Sequence, residues 1–326
     1  MKILVVRFSS IGDIVLTFPV VRCLKEQLPA VEIHYLTKAS YGTLLNACLE
    51  VDKKHVIEHS INELIPKLKA EKYDVVIDLH NNIRTRSLSL KLGVNTYRFP
   101  KLNIAKWLLT AFKVNRLPNH HVVDRYFSAM QRLGVKNDGK NNRFHIPENE
   151  QVNVEESFGI NEGNYLVAAI GAQFATKRIP INKWQEILGN LSIPIVLLGG
   201  KEDASLAQDI CSLFPDKKIH NACGKYSLTG STSIISKAEK IITNDTGLMH
   251  IAACFAVPII AVWGNTVPDF GMYAYKPEKE VKVTNFEVDG LACRPCSKIG
   301  FQKCPKGHFN CMQMQDSKAI QQAINE

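Results

Sequence analysis

The sequence predicts an α/β protein made of two doubly wound domains, each a parallel sheet covered by helices on both faces. Three observations predict it. Near-solid apolar runs of strand length, among them KILVVR (2–7), YDVVIDLH (73–80), YLVAAIG (165–171) and VPIIAVWG (257–264), alternate with helical segments; strands apolar on every residue are buried on both faces. At 326 residues the chain exceeds one ordinary core and suits two domains of about 150 residues each. The alternation also restarts after a polar stretch, KNDGKNNRFHIPENE (136–150). That stretch reads as a linker, with a first domain at 1–150 and a second at 151–326.

In the first half, KILVVR is followed by a turn, SSIGD, and an apolar-periodic helix from about Ile14 to Gln27. Strand VEIHYL (31–36), a helical segment at 40–49, strand HVIE, a helix near 61–70 and strand YDVVIDLH follow. Residues 84–116 hold one further helix at about 103–113, and HHVVDRYFSAMQRLG (120–134) reads as another. In the second half YLVAAIG leads to a loop and a helix around Lys183–Gly189. IPIVLLGG (193–200) leads to a helix from about Asp203, and a short strand near KKIH to a helix at 228–238. KIITN (240–244) then enters a helix at 247–256 before VPIIAVWG. A last helix at 315–325 has no destination legible in the sequence; packing back on the first domain is one option.

A hydrophobic content of 45% with 22% charged residues is that of a folded globular chain. No apolar run approaches the roughly 18 residues of a membrane span. MKILVVRFSS is too short in apolar residues for a signal peptide, so the expected location is the cytoplasm. The formal charge is +9, and it is uneven: residues 1–150 carry 23 Lys/Arg against 14 Asp/Glu, whereas 151–326 carry 17 of each. No acid occurs from Leu79 to Val123, where Arg84, Arg86, Lys91, Arg98, Lys101, Lys106, Lys113 and Arg116 fall. Such a run is either a solvated face or the footprint of an anionic partner: nucleic acid, phospholipid or a charged glycolipid.

In doubly wound sheets ligands bind at the carboxyl ends of the strands, and the polar knots of this chain fall there. Neither a dinucleotide fingerprint nor a P-loop is present. Asn244-Asp245-Thr246-Gly247 interrupts two oily stretches where a strand turns into a helix. Amides left unpaired at a helix start, with Gly247 permitting close approach and Thr246 adding a hydroxyl, suit a diphosphate; a plain helix cap is the alternative. AQFATKRIPINKW places Thr176, Lys177 and Arg178 after another strand, as the cationic side of such a clamp. LGGKEDAS offers Glu202 and Asp203 to a ribose, although Asp203 serves equally as a cap. In the first half Asp13, in SSIGD, is either a first-turn stabiliser or a general base.

Asp13 within SSIGD, Lys177 in TKRIPINKW and the stretch NDTGLMHIAA, in this order and spacing, resemble the lipopolysaccharide heptosyltransferases of glycosyltransferase family 9, over essentially the whole chain. The resemblance implies the GT-B fold, two Rossmann-like domains facing a central cleft. It implies inverting transfer of heptose from ADP-heptose to the inner core of lipopolysaccharide, with Asp13 as base and Lys177 binding the leaving diphosphate. Donor contacts are then expected from Thr176, Lys177, Glu202, Tyr226, Asp245, Thr246 and Gly247, and acceptor contacts from Ser10, Gly12, Arg84 and Arg86. His250 is expected to pack locally. Such a mechanism needs no metal or cofactor, in keeping with the absence of an Asp-x-Asp pair. The acceptor would be an anionic glycolipid, with peripheral contact at the inner membrane. Leu102, Ile104, Trp107, Leu108 and Leu109 among the cations could meet the lipid interface, or form an ordinary helix core face. Transfer from another nucleotide sugar is the nearest alternative, and a nucleic-acid-binding α/β protein is the alternative from a different class.

Nine cysteines without a secretory context argue against a disulfide framework. Cys23, Cys48, Cys211, Cys223 and Cys254 are scattered and read as buried thiols. Cys293, Cys296, Cys304 and Cys311, with His308 alongside, open with a C-x2-C pair like half a zinc site but continue with non-standard spacings. Structural zinc and free thiols in a packed loop both stand at this point. Some members of the resembling family carry a similar Cys-rich stretch.

Overall fold

The computed structural model describes all residues from 1 to 326. The chain divides into two compact units, Met1–Leu102 with His120–His145, and Asn103–Asn119 with Ile146–Glu326. The first holds a five-stranded sheet, β1 (Lys2–Val6), β2 (Glu32–Lys38), β3 (Lys53–Ile57), β4 (Val75–Asp78) and β5 (Thr96–Arg98), in the order β3-β2-β1-β4-β5. The second holds β6 (Leu166–Ala169), β7 (Ile195–Leu198), β8 (Ile219–Asn221), β9 (Lys240–Asn244), β10 (Ile259–Trp263) and β11 (Val283–Glu287), in the order β11-β10-β9-β6-β7-β8. Every strand pairing is parallel.

The solid apolar strands have the expected cause. Along β6, Tyr165, Val167 and Ala169 join one core cluster while Leu166, Ala168 and Ile170 join the cluster on the opposite face. Alternate side chains thus feed two cores, and neither face tolerates a polar residue. In each sheet the strand order reverses once, between β1 and β4 and between β6 and β9. A crevice opens at such a reversal because the loops on either side leave in opposite directions.

Several expectations are corrected. The helix expected from Ile14 to Gln27 is two helices, Ile11–Val15 and Phe18–Gln27. Pro19 has no N–H to give to the preceding turn, so the ladder breaks there. The segment at 40–49 is a 3-10 helix, Ala39–Ala47. Helix Ile83–Leu92 and strands β5 and β11 were not expected. The break between the units at His145/Ile146 falls inside the polar stretch 136–150, whose earlier residues are bonded into the first unit. Asp138 holds the buried Arg22 at 2.8 Å, Asn142 donates to the Val15 carbonyl at 2.8 Å, and the His145 amide donates to the Ala47 carbonyl at 2.9 Å. The helix Asn103–Phe112 groups with the second unit, where Leu109 packs on Val267 and Phe270. The final helix, Ser317–Asn325, also stays in that unit, burying Ile320 and Ile324 in its core.

Candidate active site

In the first unit the chain leaves β1 and turns directly into helix Ile11–Val15, which carries Asp13 in its first turn. Both carboxylate oxygens are engaged. Oδ2 accepts the Ser10 hydroxyl at 2.8 Å and the Ser10 amide at 3.2 Å, while Oδ1 lies 2.5 Å from the Arg7 guanidinium. Arg7 is itself buried, and also donates to the carbonyls of Ser9 at 2.8 Å and Leu79 at 2.6 Å. The cap reading of Asp13 is therefore correct as structure, and its side chain keeps 24% exposure. Ser10 serves Asp13, and Gly12 is buried within the helix.

On the far side of the reversal β4 ends at the buried Asp78, which accepts the amides of His80 and Asn81 and pairs with Arg98 at 3.2 Å. His80 was not singled out in the sequence. Its ring lies tilted against Phe8, centroids 4.9 Å apart, and its Nδ1 is buried without a partner. Burial, then the charge of Arg7, Lys101 and Arg84, holds it down at about 3, so it is a neutral imidazole at physiological pH. An open pocket of about 480 Å³ lies at the ends of β1, β2 and β3, lined by Phe8, Lys38, Ser40, His59, Ser60 and Arg84, with Glu58 its one acid. Arg84 also stands over the Phe8 ring at 5.8 Å. Arg86 does not line the pocket and reaches Asn81 Oδ1 at 3.4 Å.

In the second unit the loops after β6 and β9 meet across the other reversal. Lys177, on a 3-10 turn Ala175–Lys177, places Nζ 2.6 Å from Asp245 Oδ2, and the Thr266 hydroxyl donates to the same oxygen at 2.7 Å. Asn244 braces this corner by donating to the carbonyls of Ala169 and Ile170, both at 3.3 Å. Lys177 keeps 17% side-chain exposure. Thr246 caps helix Gly247–Ala252, its hydroxyl accepting the Leu248 amide at 3.2 Å, and Thr246 and Gly247 remain half-buried at the surface.

Two donor expectations change. Thr176 is 2% exposed, and its hydroxyl is occupied by Asn265 and by the backbone of Phe301. It fixes the loop beneath Lys177. Asp203 is buried and accepts the Gly200 amide at 2.9 Å, closing the 3-10 turn Lys201–Asp203 rather than capping the next helix, which leaves exposed Glu202 as the acid facing solvent beyond β7. Tyr226 is half-buried, its ring 6.0 Å from Phe158, just before helix Leu228–Ser236. His250 is buried.

The set of three potential metal ligands drawn within 4.8 Å of one another is His34, His55 and Glu71. Tyr73 bridges the two rings, 2.8 Å from His34 Nδ1 and 3.0 Å from His55 Nε2, and Lys2 and Lys53 pair with Glu71. These contacts engage both ring nitrogens of His34 and Nε2 of His55, while His55 Nδ1 is buried without a partner.

The chain matches the family model "Glycosyltransferase family 9 (heptosyltransferase)" over residues 61–299. It is 24% identical to the lipooligosaccharide heptosyltransferase 2 of Campylobacter jejuni, covering 100% of this chain and 98% of that one. It is also 24% identical to the lipopolysaccharide heptosyltransferase 2 of Salmonella typhimurium, over 83% and 84% of the two chains. Among solved structures, Escherichia coli ADP-heptose LPS heptosyltransferase II superposes with a TM-score of 0.70 at 20% identity, covering 100% and 98% of the chains. The two Rossmann-like units are thus those of the GT-B fold, and the chain is a glycosyltransferase belonging to family 9, the heptosyltransferases.

Proposed function

We propose that the protein transfers heptose from ADP-heptose to the inner core of a lipopolysaccharide, with inversion at the anomeric carbon and Asp13 as general base. The observation that carries this reading is the matched pair of strand-order reversals. One presents a solvent-reachable carboxylate, Asp13, and the other a cation, Lys177, held in place by Asp245. Relatives named as lipopolysaccharide and lipooligosaccharide heptosyltransferases, one solved structure naming ADP-heptose, supply the substrate class.

Asp13 accepts the proton of an acceptor hydroxyl as that oxygen attacks the anomeric carbon from the face opposite the departing ADP. Arg7 and Ser10 fix the carboxylate so that no reorganisation is needed at that moment. Negative charge grows on the leaving diphosphate, where Lys177 and the backbone at Thr246 and Gly247 stabilise it. Glu202 takes the ribose hydroxyls and Tyr226 contacts the adenine. The pocket with Lys38, His59 and Arg84 receives the anionic sugar of the acceptor.

No helix is long and apolar enough to cross a membrane. Contact with the lipid bearing the acceptor falls to helix Asn103–Phe112, where Ile104, Trp107 and Phe112 are 76%, 56% and 60% exposed beside Lys106 and Lys113. Flotation with anionic vesicles, lost on Trp107→Ala with Ile104→Ser, checks this contact; unchanged flotation removes the helix from it.

The transfer itself is tested with ADP-heptose, ADP-glucose and UDP-glucose supplied with a heptose-deficient lipopolysaccharide core. Mass spectrometry should show a heptose increment with ADP-heptose alone, and NMR an inverted anomeric linkage. Faster transfer from another nucleotide sugar would change the donor assignment, and retention of configuration would remove the single-displacement mechanism.

A further inference from the structure

One face of the first sheet is an apolar layer in which Leu4, Val6, Leu36 and Val76 pack with Leu68 and Tyr73. Two histidines break it. His34 on β2 is the register partner of Leu4, and His55 on β3 is the register partner of Leu36, so both rings lie on that face, and both are buried. After helix Ile61–Ala70 the chain brings Glu71 and Tyr73 to the same place before it enters β4. The group lies towards the amino ends of the strands, the rim opposite the one that carries Asp13.

Polar side chains buried in an apolar layer need partners, and here their polar atoms converge. His34 Nε2 lies 2.7 Å from Glu32 Oε1. A carboxylate only accepts, so the ring proton sits on Nε2 and Nδ1 offers a lone pair. Tyr73 Oη lies 2.8 Å from that Nδ1 and 3.0 Å from His55 Nε2, and the two ring nitrogens are 3.3 Å apart. Glu71 Oε2 is 3.9 Å from His34 Nδ1, and the ligand atoms of His34, His55 and Glu71 all lie within 4.8 Å of one another. A tetrahedral zinc ion with bonds of about 2.0–2.1 Å spaces its nitrogen and oxygen ligands about 3.3 Å apart. The four atoms already have close to that spacing.

We propose that His34 Nδ1, His55 Nε2, Glu71 Oε2 and Tyr73 Oη bind a divalent zinc-type ion that ties β2, β3 and the approach to β4 together. The surroundings are those of a ligand set. A metal-bound histidine donates its other ring N–H to a carboxylate, as His34 does to Glu32, and a ligating carboxylate is itself hydrogen-bonded, as Glu71 is by Lys2 and Lys53. Imidazole nitrogens favour zinc over calcium or magnesium, which take oxygen shells. Lys2 and Lys53 repel a bare cation, but the ion drives Tyr73 to the phenolate, its proton leaving to solvent. Glu71 and that phenolate then cancel both charges inside the shell. Glu32 and Glu71 are partly exposed, so the ion enters from the rim. Four protein ligands leave no open position for chemistry. The ion acts on the stability of the first unit and not on the proposed transfer.

The test loads chelator-stripped, full-length protein with cadmium-113, a zinc surrogate whose resonance reports ligand type. Wild type should give one resonance in the nitrogen–oxygen range. Metal held by any of the nine free cysteines resonates far downfield and is common to every variant below. Glu71→Gln and His55→Gln should each lose the nitrogen–oxygen resonance and about one equivalent of metal, the count set by four ligands to one ion. Glu32→Gln should weaken zinc binding to this site by about 10–100-fold, the span for removing a group that orients a metal-bound histidine. The melting temperature of stripped wild type should rise with added zinc more than that of Glu71→Gln, because an ion that binds only the folded chain stabilises it. Wild type without a nitrogen–oxygen cadmium resonance overturns the site, a result that needs no variant to fold. So does an unchanged resonance in both Glu71→Gln and His55→Gln, which places the ion elsewhere.

Discussion

Asp13 has both oxygens committed to its own unit, to Ser10 and to Arg7, so a substitution there tests two roles at once. Asp13→Ala leaves a buried Arg7 without its partner, and losing one side of a buried ion pair costs about 3–5 kcal/mol. Asp13→Asn keeps an oxygen for Ser10 and is the cleaner probe. It should lower kcat by about 10²–10⁴-fold, the range of general-base catalysis, with ADP affinity little changed. Near-normal turnover with only a lower melting temperature would leave Asp13 as a cap. For Lys177→Ala, ADP binding should weaken by about 1.5–3 kcal/mol, the span for hydrogen bonds to charged groups; calorimetry giving wild-type affinity would remove Lys177 from the clamp. Motif residues at strand ends were legible because polar groups there interrupt apolar runs. Thr176 and Asp203 were legible as polar but not as buried, since their partners, Asn265, Phe301 and Gly200, become neighbours only in the fold. His80 gave no signal, because a lone histidine after a strand has no spacing to mark it.

At the scale of elements, β3 and the turn after β4 place histidines where protonation is costly. Burial, then neighbouring His34, pushes His55 down to about 4, and His80 is held at about 3. Both lie below the ordinary value of about 6.5, so the unfolded chain binds protons first as pH falls. Their contribution to stability is complete above about pH 6.5 and is lost progressively as pH drops towards 4 and 3, by up to about 1.4 kcal/mol per unit for each group. Urea unfolding from pH 7.5 to 5 should show stability falling with pH, and His80→Asn should flatten that slope. A slope identical in the variant would assign the acid sensitivity to other groups. The same elements explain what sequence reading missed. Helix Ile83–Leu92 exposes Ile83 and Leu90 at 87% and 83% while burying Thr85 and Ser89. Its buried face mixes Leu88 with those two hydroxyl residues, so no clean apolar period marks it. Strand β11 lies at the sheet edge, partly exposed along its length, and lacks the solid apolar run that marks a central strand.

Across the whole molecule, the charge excess of the first half does not map onto one unit. Arg84, Arg86, Lys91, Arg98 and Lys101 belong to the first, and Lys106, Lys113 and Arg116 to the second. The sequence counted these cations together because counting ignores where the chain crosses, and that crossing is set by Leu109 packing on Val267 and Phe270. The division separates what each cation should do. Arg84 lines the pocket with Lys38 and is steadied by the Phe8 ring, whereas Arg86 points to Asn81 outside it. Arg84→Glu should therefore raise the acceptor KM more than Arg86→Glu does, and neither should change ADP affinity, because the proposed donor contacts belong to the second unit. An exposed charge acts over roughly 8 Å at physiological salt, so raising the ionic strength should weaken acceptor binding more than donor binding. In the Arg84→Glu protein that salt dependence should shrink. Equal KM values for the two variants and the wild type at every salt concentration would make the basic face a solvated surface, and the acceptor would then have to be recognised through Asp13 and its neighbours without the pocket.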